Sequence, residues 1–520
     1  MKIKFRRFPA TGILILLLLI TFRSIAQKSP GLRKRTTDQY NKTTGKTFVS
    51  STSTQNNPVP TAAVMDTSKV FALEDLQLLV FRYHPVVKQA ALLSESARAN
   101  VLQSLGYFDP ALKAGFGRKL FGHTEYYNHW NSELKIPLWL AGADLKVGYD
   151  RNVGTYNNPE TRTPHSGLSA VGLSIPLGQG LIIDSRRNTL RQSKIMVQYA
   201  EAEQLKQINS TWYAVVKDYW GWYYAYRQYS LVTEGVELAE RRFRALSRQT
   251  TIGDKPVIDS VEAYITVQER IIQKEKAKIE LQNARLVLSN HLWSAEGNPL
   301  ELPADAAPQE IAENISKPQQ TVLDTLIGQA SGQHPELLKL RSKGAQLAVE
   351  RSYRQEMLKP KLNVSGSLIS GRTNFGAYSP DYYDFNWSNY KVGVEFAFPL
   401  FLRAERGKLK EVKIKQRELD YDLQQTGREI RNNILASYND LSAYSAQLDV
   451  QLKSISNQQI LLKGETQKFD LGESTLFLIN SRESKLIDMK IKRESMISGY
   501  QKTLAELYYK AGTRQDATLY

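Results

Sequence analysis

The sequence predicts an α+β membrane protein in which long antiparallel helices form a coiled-coil-like α-helical barrel, or tunnel, joined to a transmembrane β-barrel shared between copies. Each chain is built from two internal repeats. Three observations predict this: an export signal, two proline-free stretches too long for any compact domain, and alternating strands too few to close a barrel alone.

The amino terminus reads as a signal peptide over residues 1–26. MKIKFRRF is basic, Ile13 to Ile20 is wholly apolar, and Ser24-Ile25-Ala26 offers a cleavage point. Eight apolar residues are too few for a spanning helix, which needs roughly 20. Residues 27–69 are rich in Ser, Thr, Asn and Lys with little apolar periodicity, which predicts a disordered leader.

Composition narrows the chemistry. There is no cysteine among the 520 residues, which excludes disulfides, zinc-thiolate sites and a cysteine nucleophile. The six histidines, His84, His123, His129, His165, His291 and His334, are scattered without an HExxH pattern, so no metal and no cofactor is expected. No P-loop or nucleophile motif is present, and the chain is not expected to be an enzyme. The formal charge of +17 divides into +5 in residues 1–26, +4 in residues 28–68 and +8 in the long remainder. Bases and acids alternate there, as in RGKLKEVKIKQRELDYD from Arg406, so no nucleic-acid partner is expected.

Self-similarity organises the rest. His84-Pro85 and the block after it resemble His334-Pro335 and its block, with Pro85/Pro335 and Pro110/Pro360 both 250 apart. VGLSIPL ending at Leu177 parallels VGVEFAFPL ending at Leu400, and the turn at Gly253 parallels that at Gly472. Repeat 1 is placed at 70–293 and repeat 2 at 319–512, with an equatorial linker at 294–318 and a tail at 513–520.

A helix interior rejects proline by ~3 kcal/mol. None occurs between Pro176 and Pro256 or after Pro399, which predicts helices over Asp184 to Gln249 and Arg403 to Asp470, each about 100 Å long. In the second, Val412, Gln416, Leu419, Leu423, Thr426, Ile430, Ile434, Tyr438, Leu441, Ser445, Leu448, Leu452, Ile455, Gln459 and Leu462 form a near-heptad seam. Half-length helices are predicted over Phe71 to Leu105, Val257 to Trp293, Thr321 to Leu358 and Thr475 to Lys510. Stacked end to end, two of them flank one long helix. The aromatic cluster from Trp212 to Tyr229 reads as inter-helix packing.

Between half helix and long helix the apolar period changes to two. Val392, Val394, Phe396, Phe398 and Leu400 alternate with polar or small residues, as do Val171, Leu173, Ile175 and Leu177. Leu362/Val364 and Leu112/Ala114/Phe116 start two more strands. The connecting loops are read as carrying interfacial aromatics, Tyr126, Tyr127 and Trp130 in one repeat and Tyr382, Tyr383, Trp387 and Tyr390 in the other, as in a membrane girdle; a soluble sandwich edge is the other reading. One chain supplies four clear strands, or six if SELKIPLWL and ADLKVGYD pair. Single-chain barrels start at about eight, so copies must share one.

These features resemble the TolC-like outer-membrane efflux proteins, or outer membrane factors, over about residues 70–512. The resemblance rests on the duplicated HP half helices, the PALKAGFG and PKLNVSG strand starts, the SIPLGQG and AFPLFLRAERG exits and the two glycine turns. It implies a homotrimer in the outer membrane of a Gram-negative bacterium, with a 12-stranded barrel and a periplasmic helical tunnel. The implied function is the exit duct of a tripartite efflux or type I secretion system, docked to a periplasmic adaptor (membrane fusion protein) and an inner-membrane pump. The first repeat departs from the pattern in its longer strand region.

By the same resemblance Ile252, Gly253 and Asp254, with Leu471, Gly472, Glu473, Ser474 and Thr475, form the adaptor-docking tips. Each glycine also reads as a plain helix cap. Asp254, Asp259 and Glu473 are candidate aperture acids, since symmetry would multiply each into a ring, or else complements to a helix dipole. The competing function is a secreted coiled-coil structural or adhesion protein without a pore.

Overall fold

The computed structural model describes residues 70–253, 255–311, 319–373 and 382–514. The predicted signal peptide and leader, Asp254, part of the linker and residues 515–520 of the tail lie outside these. The chain starts with β1 (Val70–Phe71), α1 (Leu73–Tyr83) and α2 (Pro85–Leu105). Four strands follow: β2 (Ala111–Phe121), β3 (Thr124–Pro137), β4 (Asp144–Val153) and β5 (Leu168–Pro176). Next come the 67-residue α3 (Ser185–Thr251) and the 33-residue α4 (Val257–Ser289). After β6 (Ala307–Pro308) run α5 (Gln320–Gln333), α6 (Pro335–Glu356), β7 (Lys361–Thr373), β8 (Tyr382–Tyr383) and β9 (Tyr390–Ala397). The 68-residue α7 (Arg403–Asp470) and 35-residue α8 (Leu476–Lys510) complete the chain.

The long helices keep their predicted bounds to within two residues, whereas two predicted half helices are each broken in two. The breaks fall at His84 and His334. A residue before proline is pushed out of the helical region, and both histidines are extended, at φ −60°, ψ 127° and φ −61°, ψ 129°. Proline then occupies the first helical position, where its missing N–H costs nothing.

The helices form one layer. At the sheet end its order is α2, α3, α6, α7, and at the far end α4, α3, α8, α7. Its main core sits at mid-height, where Trp212, Val216, Tyr219, Trp220 and Trp222 of α3 pack with Leu76 of α1, Leu326 of α5, Ile434 and Leu441 of α7 and Leu507 of α8. The aromatic cluster is therefore helix packing. Part of the linker is structured, because β6 pairs in parallel with β1 and Leu302 enters the core. Along α7 the buried line is Ile434, Ser437, Leu441, Ser445, Leu448, Gln451, Ile455 and Gln458. Gln458 replaces the expected Gln459 because its amide donates to the Arg482 carbonyl at 2.9 Å, as that of Gln451 does to Met489 at 2.8 Å.

The main sheet runs β2-β3-β4-β5-β7-β9, with every neighbour antiparallel and two-residue β8 pairing the end of β7. The optional hairpin exists as β3 and β4, so six long strands stand among the described residues. Three copies would therefore carry more than the twelve strands that the resemblance implies.

Candidate functional site

Cross-strand partners share a sheet face, so the register assigns every side chain to one side. One line of partners crosses all six strands: Leu112, Leu134, Val147, Val171, Leu368, Tyr390. The same face carries Ile136, Leu145, Leu173, Val364, Val392, Val394 and Phe396. The adjacent line on the opposite face reads Ala111, Lys135, Lys146, Gly172, Ser367, Lys391. The apolar face is uncovered; Leu112 is 74% exposed and Val394 66%. An apolar face about four alternating residues deep suits the roughly 25 Å lipid-facing band of an outer-membrane sheet. No described helix is long and apolar enough to cross a membrane.

The sheet is bolted to the helices by one charged joint. Asp184 caps α3 by accepting from the Arg187 N–H at 3.0 Å, and its carboxylate pairs with Arg186 at 2.9 Å. Arg186 reaches Asp144 at the start of β4 at 2.8 Å, and Lys135 at the end of β3 meets the same carboxylate at 3.0 Å. The β3–β4 turn is thus held on the first turn of a long helix. Asp184 before a Pro-free run is a legible N-cap signal; its reach to Asp144 is not.

Tyr126, Tyr127 and Trp130 lie within β3 and not in a loop, because alternating pairing continues through them to Thr124. A register shift opposite Leu120 leaves Tyr126 as the extra residue, its ring tilted against that of Tyr156 with centres 4.6 Å apart. Trp130 shares the apolar face with Phe116, whereas Tyr127 pairs with Lys119 on the other face. Tyr382 and Tyr383 form β8, Tyr390 begins β9, and Trp387 is 85% exposed in the intervening turn. The set is divided between the two faces and a turn.

Both tip glycines have positive φ, 82° at Gly253 and 81° at Gly472, the left-handed geometry that ends a helix. At the second tip Glu473 N–H donates to the Lys468 carbonyl at 2.8 Å and Gly472 N–H to Phe469 at 3.0 Å, which closes a Schellman-type turn. Ile252 and Leu471 are 78% and 76% exposed. The two turns lie together, since the Lys255 ammonium sits 4.9 Å from the centre of the Phe469 ring. Ser474 hydrogen-bonds back to Glu465, and Thr475 precedes α8 in extended conformation. Glu473 is exposed, Asp259 is half-buried in the first turn of α4, and Asp254 lies outside the described residues.

Sequence reasoning missed a polar cluster at mid-height. His84 Nδ1 accepts from the Val86 N–H at 3.2 Å, leaving Nε2 to meet His291 Nδ1 at 3.5 Å, and His291 Nε2 meets Asp218 at 2.8 Å. Burial, and then the neighbouring His291 ring, push His84 down to about 4. Nearby, burial and the repulsion of Lys217 lower Lys502. His84 stands between α1 and α2, Lys217 and Asp218 on α3, Lys502 on α8 and His291 just beyond α4.

Residues 326–477 match the family model described as outer membrane efflux protein. Over that stretch the chain is similar to outer membrane efflux proteins. The efflux-protein match covers α6, all of the second strand set, α7 and the second tip, and it places the chain in the outer membrane. No curated protein matches the sequence. Solved channels share the fold. The CmeC outer membrane channel of Campylobacter jejuni is 15% identical, with a TM-score of 0.56 over 85% of this chain and 86% of that one. The outer membrane protein VceC of Vibrio cholerae is 13% identical, with a TM-score of 0.59 over 85% and 96%. The MtrE outer membrane channel of Neisseria gonorrhoeae, in its open state, is 14% identical, with a TM-score of 0.58 over 85% and 89%. Identities this low establish a common fold.

Proposed function

We propose that this protein is a passive exit duct, a trimeric outer-membrane channel-tunnel that completes a tripartite efflux or type I secretion system. One observation carries the reading: the molecule is an open layer with two complementary edges. Along one edge stand α2, β2 and α4; along the other stand β9 and α7. A lipid-exposed sheet edge is not tolerated, so β2 of one copy must meet β9 of the next. A head-to-tail contact of this kind generates a ring. The same rotation rolls the helical layer into a tube below the membrane.

In this reading repeats 70–293 and 319–512, joined by 294–318, each supply one arc, following export on the signal peptide 1–26. A periplasmic adaptor engages the paired tips around Gly253 and Gly472, and an inner-membrane pump supplies the energy. The duct has no covalent step to perform and needs no cofactor.

Membrane extraction with sizing tests the reading. The duct should resist carbonate, require detergent, run as a trimer and conduct ions in planar bilayers. Release by carbonate as a non-conducting chain would instead identify a secreted coiled-coil adhesion or structural protein.

A further inference from the structure

The inserted hairpin β3–β4 sits in the middle of the sheet, not at its rim. Among the described residues β2 pairs with β3 alone, and β5 pairs with β4 on one side and β7 on the other, so removing the hairpin would leave β2 and β5 unpaired with each other. Its side chains obey the wall's own pattern: Leu134 and Val147 occupy the apolar line, and Lys135 and Lys146 the opposite one. The charged joint from Arg186 to Asp144 fixes its turn to α3. A hairpin folded over the mouth as a plug would need neither the unbroken apolar line nor the joint.

Five successive antiparallel pairings make β2 and β9 run in opposite directions. Joining β9 of one copy to β2 of the next therefore continues the same antiparallel ladder. Width agrees as well. Six strands spaced about 4.8 Å and tilted about 40° span an arc of roughly 38 Å, whereas four span roughly 25 Å. Four helices side by side at 8–10 Å span about 36 Å. Six strands per copy match the helical arc beneath them.

We propose that β3 and β4 are staves of the membrane wall, so that each copy adds six strands and a ring of three closes an eighteen-stranded barrel. This rests on the trimeric duct proposed above. Barrel diameter grows roughly linearly with strand number, and eighteen strands leave an aqueous channel about 36 Å across between backbones. The duct then does not narrow at the membrane.

The absence of native cysteine makes a labelling experiment direct. Leu134→Cys and Val147→Cys probe the hairpin, Val392→Cys and Val394→Cys probe β9, and Lys146→Cys probes the opposite face. Each variant is first sized as an assembled oligomer in detergent, then treated in outer-membrane vesicles with a lipid-dissolved or a membrane-impermeant maleimide. All four apolar-face positions should take the lipid-dissolved reagent at least tenfold faster than the impermeant one, with the reverse at Lys146→Cys. Protection of the β9 positions alone, with Leu134→Cys and Val147→Cys open to the impermeant reagent, would overturn the six-strand wall and leave the duct standing. Exposure of all four would sink the duct as well. An oligomer mass other than three copies would overturn the count of eighteen.

Discussion

His84 and His334, 250 residues apart, occupy the same backbone conformation and make the same capping bond, each ring Nδ1 accepting from the N–H two residues on, at 3.2 Å to Val86 and 3.2 Å to Glu336. Each imidazole thereby caps the helix that its neighbouring proline starts. One His-Pro pair thus ends a helix and begins the next in both halves of the chain.

Loss of that cap has a calculable effect. His84→Ala removes an N-cap acceptor and should lower stability by about 1 kcal/mol, with His84→Asn restoring most of it. Thermal denaturation of the detergent-solubilised protein measures the difference.

The same ring makes stability pH-dependent. Unfolded, it takes up a proton near its ordinary value of 6.5; folded, it resists until about 4. Its contribution is complete above about pH 6.5 and falls as the pH drops through that window, because the unfolded chain then binds more protons. His84→Asn should flatten the midpoint-versus-pH curve between 6.5 and 4. A curve as steep as the parent's would show that another group is responsible.

At the tip, Gly472 lies at φ 81° and a Cβ added there would meet nothing within 4 Å, so only backbone geometry resists substitution. Gly472→Val should cost about 1–2 kcal/mol locally, and Gly472→Asn less. Oligomer size should be unchanged in both, while crosslinking to the adaptor is lost in the valine variant. Undiminished crosslinking would count against docking at this turn.

Neutralising Asp254, Asp259 and Glu473 together tests the aperture. Cation-over-anion permeability in planar bilayers should fall severalfold in D254N/D259N/E473Q. Equal selectivity would leave Asp259 only its favourable place in the first turn of α4.

On α4, Ile258, Ile265, Ile272, Ile279 and Leu286 recur every seven residues and are all exposed in the single chain, Ile272 by 70%. Burying such a side chain contributes about 1.5–3 kcal/mol, and this stripe lies on the edge proposed to meet the next copy. Ile272→Glu should keep parent helicity by circular dichroism yet weaken oligomer formation at least tenfold. A trimer of parent stability would place the copy interface elsewhere.

Much of the helical part was legible in the sequence. Proline exclusion and the three-four spacing on α7 locate the long helices, yet Gln458 and not Gln459 turns inward because a hydrogen bond to α8 selects it. Strand alternation revealed Val392 to Phe396 but also counted Phe398 and Leu400, which lie beyond the end of β9 at Ala397, and it stopped at Phe116 in β2, which runs on through Arg118 and Lys119 to Phe121. Tyr126 and Tyr127 resembled a loop because two adjacent aromatics break alternation, and only the partner strand shows them to flank a register shift. The tip glycines were found from their place after each long helix; whether they recognise anything depends on a partner outside the chain.

By itself the sequence determined what is local: the lengths of the two long helices, the glycine stops and the faces of the clear strands. Those follow from backbone sterics and periodicity within a few residues. Only the tertiary structure decided that β3 and β4 stand inside the sheet, that Arg186 of α3 holds Asp144 of β4, and that His291 lies beside His84. The last two join residues 42 and 207 positions apart, where chain entropy leaves many pairings open until packing and charge select one.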